Sequence, residues 1–167
     1  MSAAVGDPEL DRRLELHRRW ARFDEGGERL VAAGLTLSGR TLAGLDLSGA
    51  VLRGCRLEGA SLRGADLSGS HLVDCSFAGA DATGASFVKA QLQRCDFQGS
   101  SLCDADLTRS SWHAVDLRGA DLTGASLVAT LLHRCDLRGA VLHDVELRRT
   151  SVVETLGDGD WSAHGSG

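Results

Sequence analysis

Four cysteines and two histidines are the residues of this chain best suited to chemistry, and both sets share one spacing. Cys55, Cys75, Cys95 and Cys135 are separated by multiples of twenty, with Val115 in the remaining place, and His113 and His133 are also twenty apart. A column of thiols could bind a soft metal or exchange disulfides. Two stacked imidazoles could share a metal ion. Each set also has a plainer reading: buried free cysteines behave as small hydrophobes, and two histidines fall short of the ligands that a zinc site needs. The chain has no phosphate-cradling glycine loop, no nucleophile elbow and no paired-histidine helix motif. No set of residues assembles a mechanism, so a non-enzymatic protein without cofactor or metal is expected.

The elements that place these residues follow from a shorter period. Stepping by five from position 37 to 152 gives 24 sites, of which 21 hold Leu or Phe; Ala82, Trp112 and Val152 are the exceptions. A helix would spread such residues around its axis instead of gathering them in one stripe. A plain strand would send alternate ones to opposite faces. A chain that turns a corner every five residues points all of them at one axis, which makes this a repeat architecture.

The other positions of the unit agree. Two residues before each centre stand small side chains, as at Ala50, Cys55, Ala60, Ala65 and Ser70. Just before the centre come Asp66, Asp96, Asp106, Asp116, Asp121 and Asp136, whose short side chains can bond the backbone at a bend. Two residues after it glycine recurs, where a corner calls for positive φ. Segments such as Ala65-Asp66-Leu67-Ser68-Gly69 and Ala120-Asp121-Leu122-Thr123-Gly124 resemble the pentapeptide-repeat family, over residues 35 to 154 and with a degenerate unit at 30–34. The resemblance implies an all-β solenoid: a right-handed quadrilateral parallel β-helix of about six coils, a rod roughly 29 Å long at about 4.8 Å per coil. It also implies a protein-binding role. Some members of the family protect DNA gyrase or topoisomerase IV from quinolones or toxins by resembling DNA, which makes a type II topoisomerase one expected partner and a general scaffold or adaptor role the alternative.

Four pentapeptides per coil turn the twenty-residue spacing into four distinguishable faces. The face centred on Leu62, Ala82, Leu102, Leu122 and Leu142 carries Asp81, Asp104, Asp121 and Asp144 against Arg40 and Arg63 and is a candidate acidic partner face. The face centred on Leu72, Leu92, Trp112 and Leu132 shows Val51, Val73, Leu131 and Val153 outward, with His71, His113, His133, Arg53, Arg94 and Arg134. Outward aliphatics mark contact surfaces, so this is the first candidate for a partner or dimer contact. Inside the rod, the rings of Phe77 and Phe87 are expected to fill the volume left by Ala82. Trp112 needs a partner for its indole N–H, and the wall beside it is expected to bulge or open. Cys103 is expected to be the exposed thiol.

Within 35–154 the 14 acidic and 12 basic residues leave −2, which disfavours direct nucleic-acid binding. No apolar stretch approaches a membrane span, and no secretory signal is evident, so a cytoplasmic protein with reduced thiols is expected. Residues 1–29 read as an amphipathic capping helix, with Asp7 as N-cap before Pro8 and Leu10, Leu14, Leu16, Trp20, Ala21 and Phe23 on its apolar face. Residues 30–154 form the rod, and 155–167 a flexible tail anchored, if at all, by Trp161. Self-association through a coil face or the C-terminal end remains open.

Overall fold

A computed structural model describes residues 8–158. Helix α1 (Pro8–Ala21) precedes seven three-residue strands: β1 (Val31–Ala33), β2 (Val51–Arg53), β3 (His71–Val73), β4 (Gln91–Gln93), β5 (Ser111–His113), β6 (Leu131–His133) and β7 (Ser151–Val153). They form one parallel sheet in sequence order, in a register offset by twenty residues throughout, as in Leu52↔Leu72 and Trp112↔Leu132. The other three sides of each coil are joined by single parallel bridges, such as Arg56↔Ser76, Ser61↔Asp81 and Asp66↔Ser86. One side of the four-sided β-helix is therefore a true sheet, and we call it the strand face. The ladder continues to Leu156, which bridges Asp136.

Each corner away from the strand face is a tight turn. The N–H after the corner donates to the carbonyl of the central residue, as in Ala60 to Leu57 at 3.0 Å. The corner residue Gly59 has φ 62°, the positive value that a type II turn demands of its third residue. Aspartates before the centre lock the bend, since Asp66 and Asp106 accept the N–H of Ser68 and Thr108 at 2.8 and 2.9 Å. The central side chains form the core: Leu57, Leu62, Leu67, Leu72, Phe77, Ala82, Phe87 and Phe97 have no solvent exposure.

The strand face lacks this turn bond, its central residues lying in the strand ladder, and the cysteine column packs behind it. The Cys75, Cys95 and Cys135 thiols donate to the carbonyls of Leu52, Leu72 and Trp112 in the coil before, at 3.5, 3.4 and 3.3 Å. Thr155, next in the column, donates its hydroxyl to Leu132 in the same way at 3.3 Å. The column is thus small enough to pack, and its thiols find acceptors inside the rod. All five cysteines are free, and burial pushes the Cys135 thiol up to about 11, so it stays protonated.

The aromatic residues of the core form one cluster. Phe97 is the hub, stacked on Phe77 with centroids 4.5 Å apart and also meeting Phe87 and Trp112 at 6.0 and 5.1 Å. Trp112 is fully buried without any bulge in the wall. Its indole N–H donates to Ser110 Oγ at 2.8 Å, so a small-position serine supplies the partner from inside the coil.

Helix α1 covers the first coil with Leu10, Leu14 and His17, residues spaced to share one face. His17 Nδ1 accepts the Leu30 N–H at 3.0 Å, and its ring stacks on Trp20. Burial holds His17 below its ordinary pKa despite the opposing pull of Asp46. The expected apolar face is corrected at its C-terminal end, because the helix stops at Ala21. Phe23 lies beyond it at φ 60°, 97% exposed, and Trp20 is 37% exposed. At the opposite end Leu142, Leu147 and Val152 are only partly buried. The expected N-cap Asp7 and residues 159–167 of the expected tail, Trp161 among them, lie outside the described residues, whereas Thr155, Leu156 and Asp158 are still bonded to the last coil.

Candidate interaction faces

The strand face brings its predicted residues together. Val51, Arg53, His71, Val73, His113, Leu131 and His133 alternate with the buried centres of β2, β3, β5 and β6, so strand geometry turns them outward. Arg94 and Arg134 occupy the corner that follows, both in the left-handed region. Each pairs with the carboxylate one coil away: Arg94 grips Asp74 through Nε and Nη2 at 2.7 and 2.9 Å, and Arg134 Nε meets Glu154 at 2.7 Å. These pairs hold the Asp74 and Glu154 carboxyls below the usual range. A shallow recess opens mid-face, lined by His71, Val73, Gln91, Gln93, Ser111 and His113.

His113 and His133 stack as their spacing predicts, with centroids 4.8 Å apart and Nδ1 atoms 2.9 Å apart. Glu154 approaches the far nitrogen of His133, Nε2, at 3.8 Å. It therefore cannot complete a site held between the two Nδ1 atoms, and no metal-holding group of three His, Cys, Asp or Glu exists among the described residues. The separation fits a hydrogen bond in which one ring donates Nδ1–H to the other.

The acidic face is less negative than its residue types suggest. Asp81 pairs with Arg63 at 2.9 Å, and Asp121 accepts the Thr123 N–H and hydroxyl at 2.9 and 2.6 Å. The Thr83 and Thr123 side-chain bonds are the leading reason that both carboxyls lie below their ordinary range. Asp104 and Asp144 are exposed corner residues at φ 56° and enter no ion pair among the described residues. The Asp104 carboxylate lies over Gly124, in space that a side chain there would take. Cys103 is half-buried on this face rather than exposed, with its sulfur 4.0 Å from the Asp121 carbonyl.

A family model for pentapeptide repeats, in eight copies, matches residues 34–69, 60–99, 70–109 and 116–151. The chain belongs to the pentapeptide-repeat family. Among solved structures, QnrB1, a plasmid-mediated fluoroquinolone resistance protein, is similar over 81% of this chain and 87% of its own, at 17% identity and a TM-score of 0.49. A pentapeptide repeat protein from the Arabidopsis thaliana thylakoid lumen is 32% identical over 67% of this chain and 71% of its own, with a TM-score of 0.42. HetL of Nostoc sp. strain PCC 7120, a pentapeptide repeat protein involved in heterocyst differentiation regulation, is 21% identical over 85% of this chain and 91% of its own, with a TM-score of 0.22. No curated protein matches the sequence. Membership of the pentapeptide-repeat family accounts for the coil but not for which side of it is used.

One pentapeptide-repeat corner column escaped the sequence reading. The edge that enters the strand face carries Gly49, Gly69, Lys89, Arg109, Ala129 and Arg149; the two glycines are partly covered and the other four are exposed. Lys89, Arg109 and Arg149 enter no ion pair among the described residues. Their signal lies in the same twenty-residue spacing, at the corner position where glycine recurs. No helix among the described residues is long and apolar enough to cross a membrane.

Proposed function

We propose that this protein is a non-enzymatic binding rod that holds a protein partner against its strand face. The supporting observation is the row of outward aliphatics Val31, Val51, Val73, Leu131 and Val153 along the one side built as a continuous sheet, with Val31 60%, Leu131 38% and Val153 41% exposed. Aliphatic side chains repeated along a single exposed face mark an interaction site. The reading takes a protein as partner, uses neither cofactor nor direct nucleic-acid contact, and places the rod in the cytoplasm. A tagged bait compared with its Val73→Ser/Leu131→Ser and Asp104→Asn/Asp144→Asn variants tests it. The partner should be lost only from the first variant; equal recovery by all three baits would refute the reading.

A second reading has its own observation in Asp104 and Asp144, carboxylates that enter no ion pair among the described residues and lie on the opposite side of the rod. In this reading the acidic face imitates DNA and protects a bacterial type II topoisomerase, gyrase or topoisomerase IV, from quinolones or toxins. Titration into a gyrase supercoiling assay with and without a quinolone checks it. Protection that is lost in Asp104→Asn/Asp144→Asn supports this reading, whereas no protection at any ratio removes it.

A further inference from the structure

We propose that the strand face and the Lys89–Arg109–Arg149 edge together dock an acidic protein segment that also presents aliphatic side chains. This deepens the strand-face reading and rests on it. The face with its two edges holds Arg53, Lys89, Arg94, Arg109, Arg134 and Arg149 but only Asp74 and Glu154, a formal +4 in a chain of −5. Both carboxylates are already neutralised by Arg94 and Arg134. Arg53, Lys89, Arg109 and Arg149 are left without an ion pair among the described residues. The positive side is therefore not balanced from within, whereas the opposite face carries the excess of acid.

The edge cations sit where the backbone gains nothing from them. Lys89, Arg109 and Arg149 have φ of 58°, 59° and 59°, a region that costs a residue with a Cβ about 1–2 kcal/mol. Gly49 and Gly69 fill the same column without that cost. The acids of the adjoining face are engaged elsewhere: Asp66 and Asp106 accept backbone N–H groups, and Glu146 pairs with Arg148. An unpaired cation at a strained corner points to a use outside the fold.

The chemistry of the occupant follows from both features. The cations complement carboxylates and would speed encounter with them. Val51, Val73, Leu131 and Val153 call for aliphatic contacts, and the recess between His71 and His113 can receive one side chain. Nucleic acid fits less well, because for base stacking the face offers only the imidazoles of His71, His113 and His133 and no exposed Phe, Tyr or Trp.

Fluorescence anisotropy on the full chain provides the test, with labelled decapeptides alternating Glu/Leu, Lys/Leu or Ser/Leu and with a labelled oligothymidylate as probes. The Glu/Leu peptide should bind best, more weakly as salt rises. Lys89→Gly/Arg109→Gly/Arg149→Gly should weaken it by about tenfold or more, three lost charge contacts at a partly exposed interface. Glycine suits these corners, so the fold is kept, and Asp104→Gly/Asp144→Gly should leave binding unchanged. Tighter binding of the Lys/Leu peptide or the oligonucleotide, or an unchanged affinity in the triple glycine variant, overturns the proposal. If Ser/Leu binds as well as Glu/Leu and Val73→Ser/Leu131→Ser abolishes both, the acidic partner falls and the strand-face reading stands. If no probe responds to Val73→Ser/Leu131→Ser, both fall.

Discussion

Phe97→Ala should be among the most damaging single substitutions in the rod. The ring has no solvent exposure, stacks on Phe77 at 4.5 Å with planes 12° apart, and also touches Phe87 and Trp112. Truncating a buried phenylalanine costs about 3–5 kcal/mol, the spread reflecting how far the site collapses. Collapse is limited here, because the coil backbone is fixed by ladders above and below: Phe97 N–H donates to Asp116 and Phe77 N–H to Asp96, at 2.7 and 2.6 Å. At about 2–4 °C per kcal/mol for a chain of this size, the melting temperature should fall by roughly 6–20 °C. Thermal unfolding followed by far-ultraviolet circular dichroism reads the change. Phe97→Leu should cost less, since Leu57, Leu117 and Leu137 occupy the same column. A melting temperature for Phe97→Ala within about 2 °C of wild type would refute the interior assignment and the aromatic hub with it.

Corner strain predicts opposite effects at two equivalent positions. Ala129→Gly should stabilise by up to about 1 kcal/mol, and Gly79→Ala should destabilise by about 1–2 kcal/mol although space around Gly79 is open, both read from chemical denaturation. For His17, whose folded pKa is lowered by burial, the unfolded state takes up the proton more readily. Its contribution is complete above the ordinary value of 6.5 and is lost as pH falls from there toward the lower folded pKa. The denaturation midpoint should therefore fall more steeply for wild type than for His17→Gln between about pH 7 and 5, and parallel slopes would contradict the buried cap. Cys103, the one half-buried thiol, should react first with an aromatic disulfide reagent, and the other four only on unfolding. Fast labelling of Cys75 or Cys95 would disprove the closed column.

The repeat was legible because a five-residue period leaves one geometry for Leu and Phe, and the twenty-residue period then sorts outward residues into faces. What escaped depends on partners that spacing does not name. The cysteine column reads as packing until its thiols are seen to reach carbonyls of the coil before. Ser110 beside Trp112 looks like any small-position residue, yet it removes the need for a bulge. His17 lies in a helix whose apolar residues suggested a face running on to Trp20 and Phe23, but the helix stops two residues short of Phe23. On the candidate faces, residue type alone could not reveal that Asp81 is bound to Arg63 while Lys89, Arg109 and Arg149 enter no ion pair among the described residues.

Residue-level footprinting of the protein alone and in complex with the partner that its bait recovers addresses the central claim most directly. Diethyl pyrocarbonate labels exposed histidines, and carbodiimide coupling labels exposed carboxylates. The strand-face account predicts that complex formation protects His71 and His113 while Asp104 and Asp144 keep their reactivity. Protection of Asp104 and Asp144 with His71 and His113 unchanged would contradict it and place the contact on the acidic side of the rod.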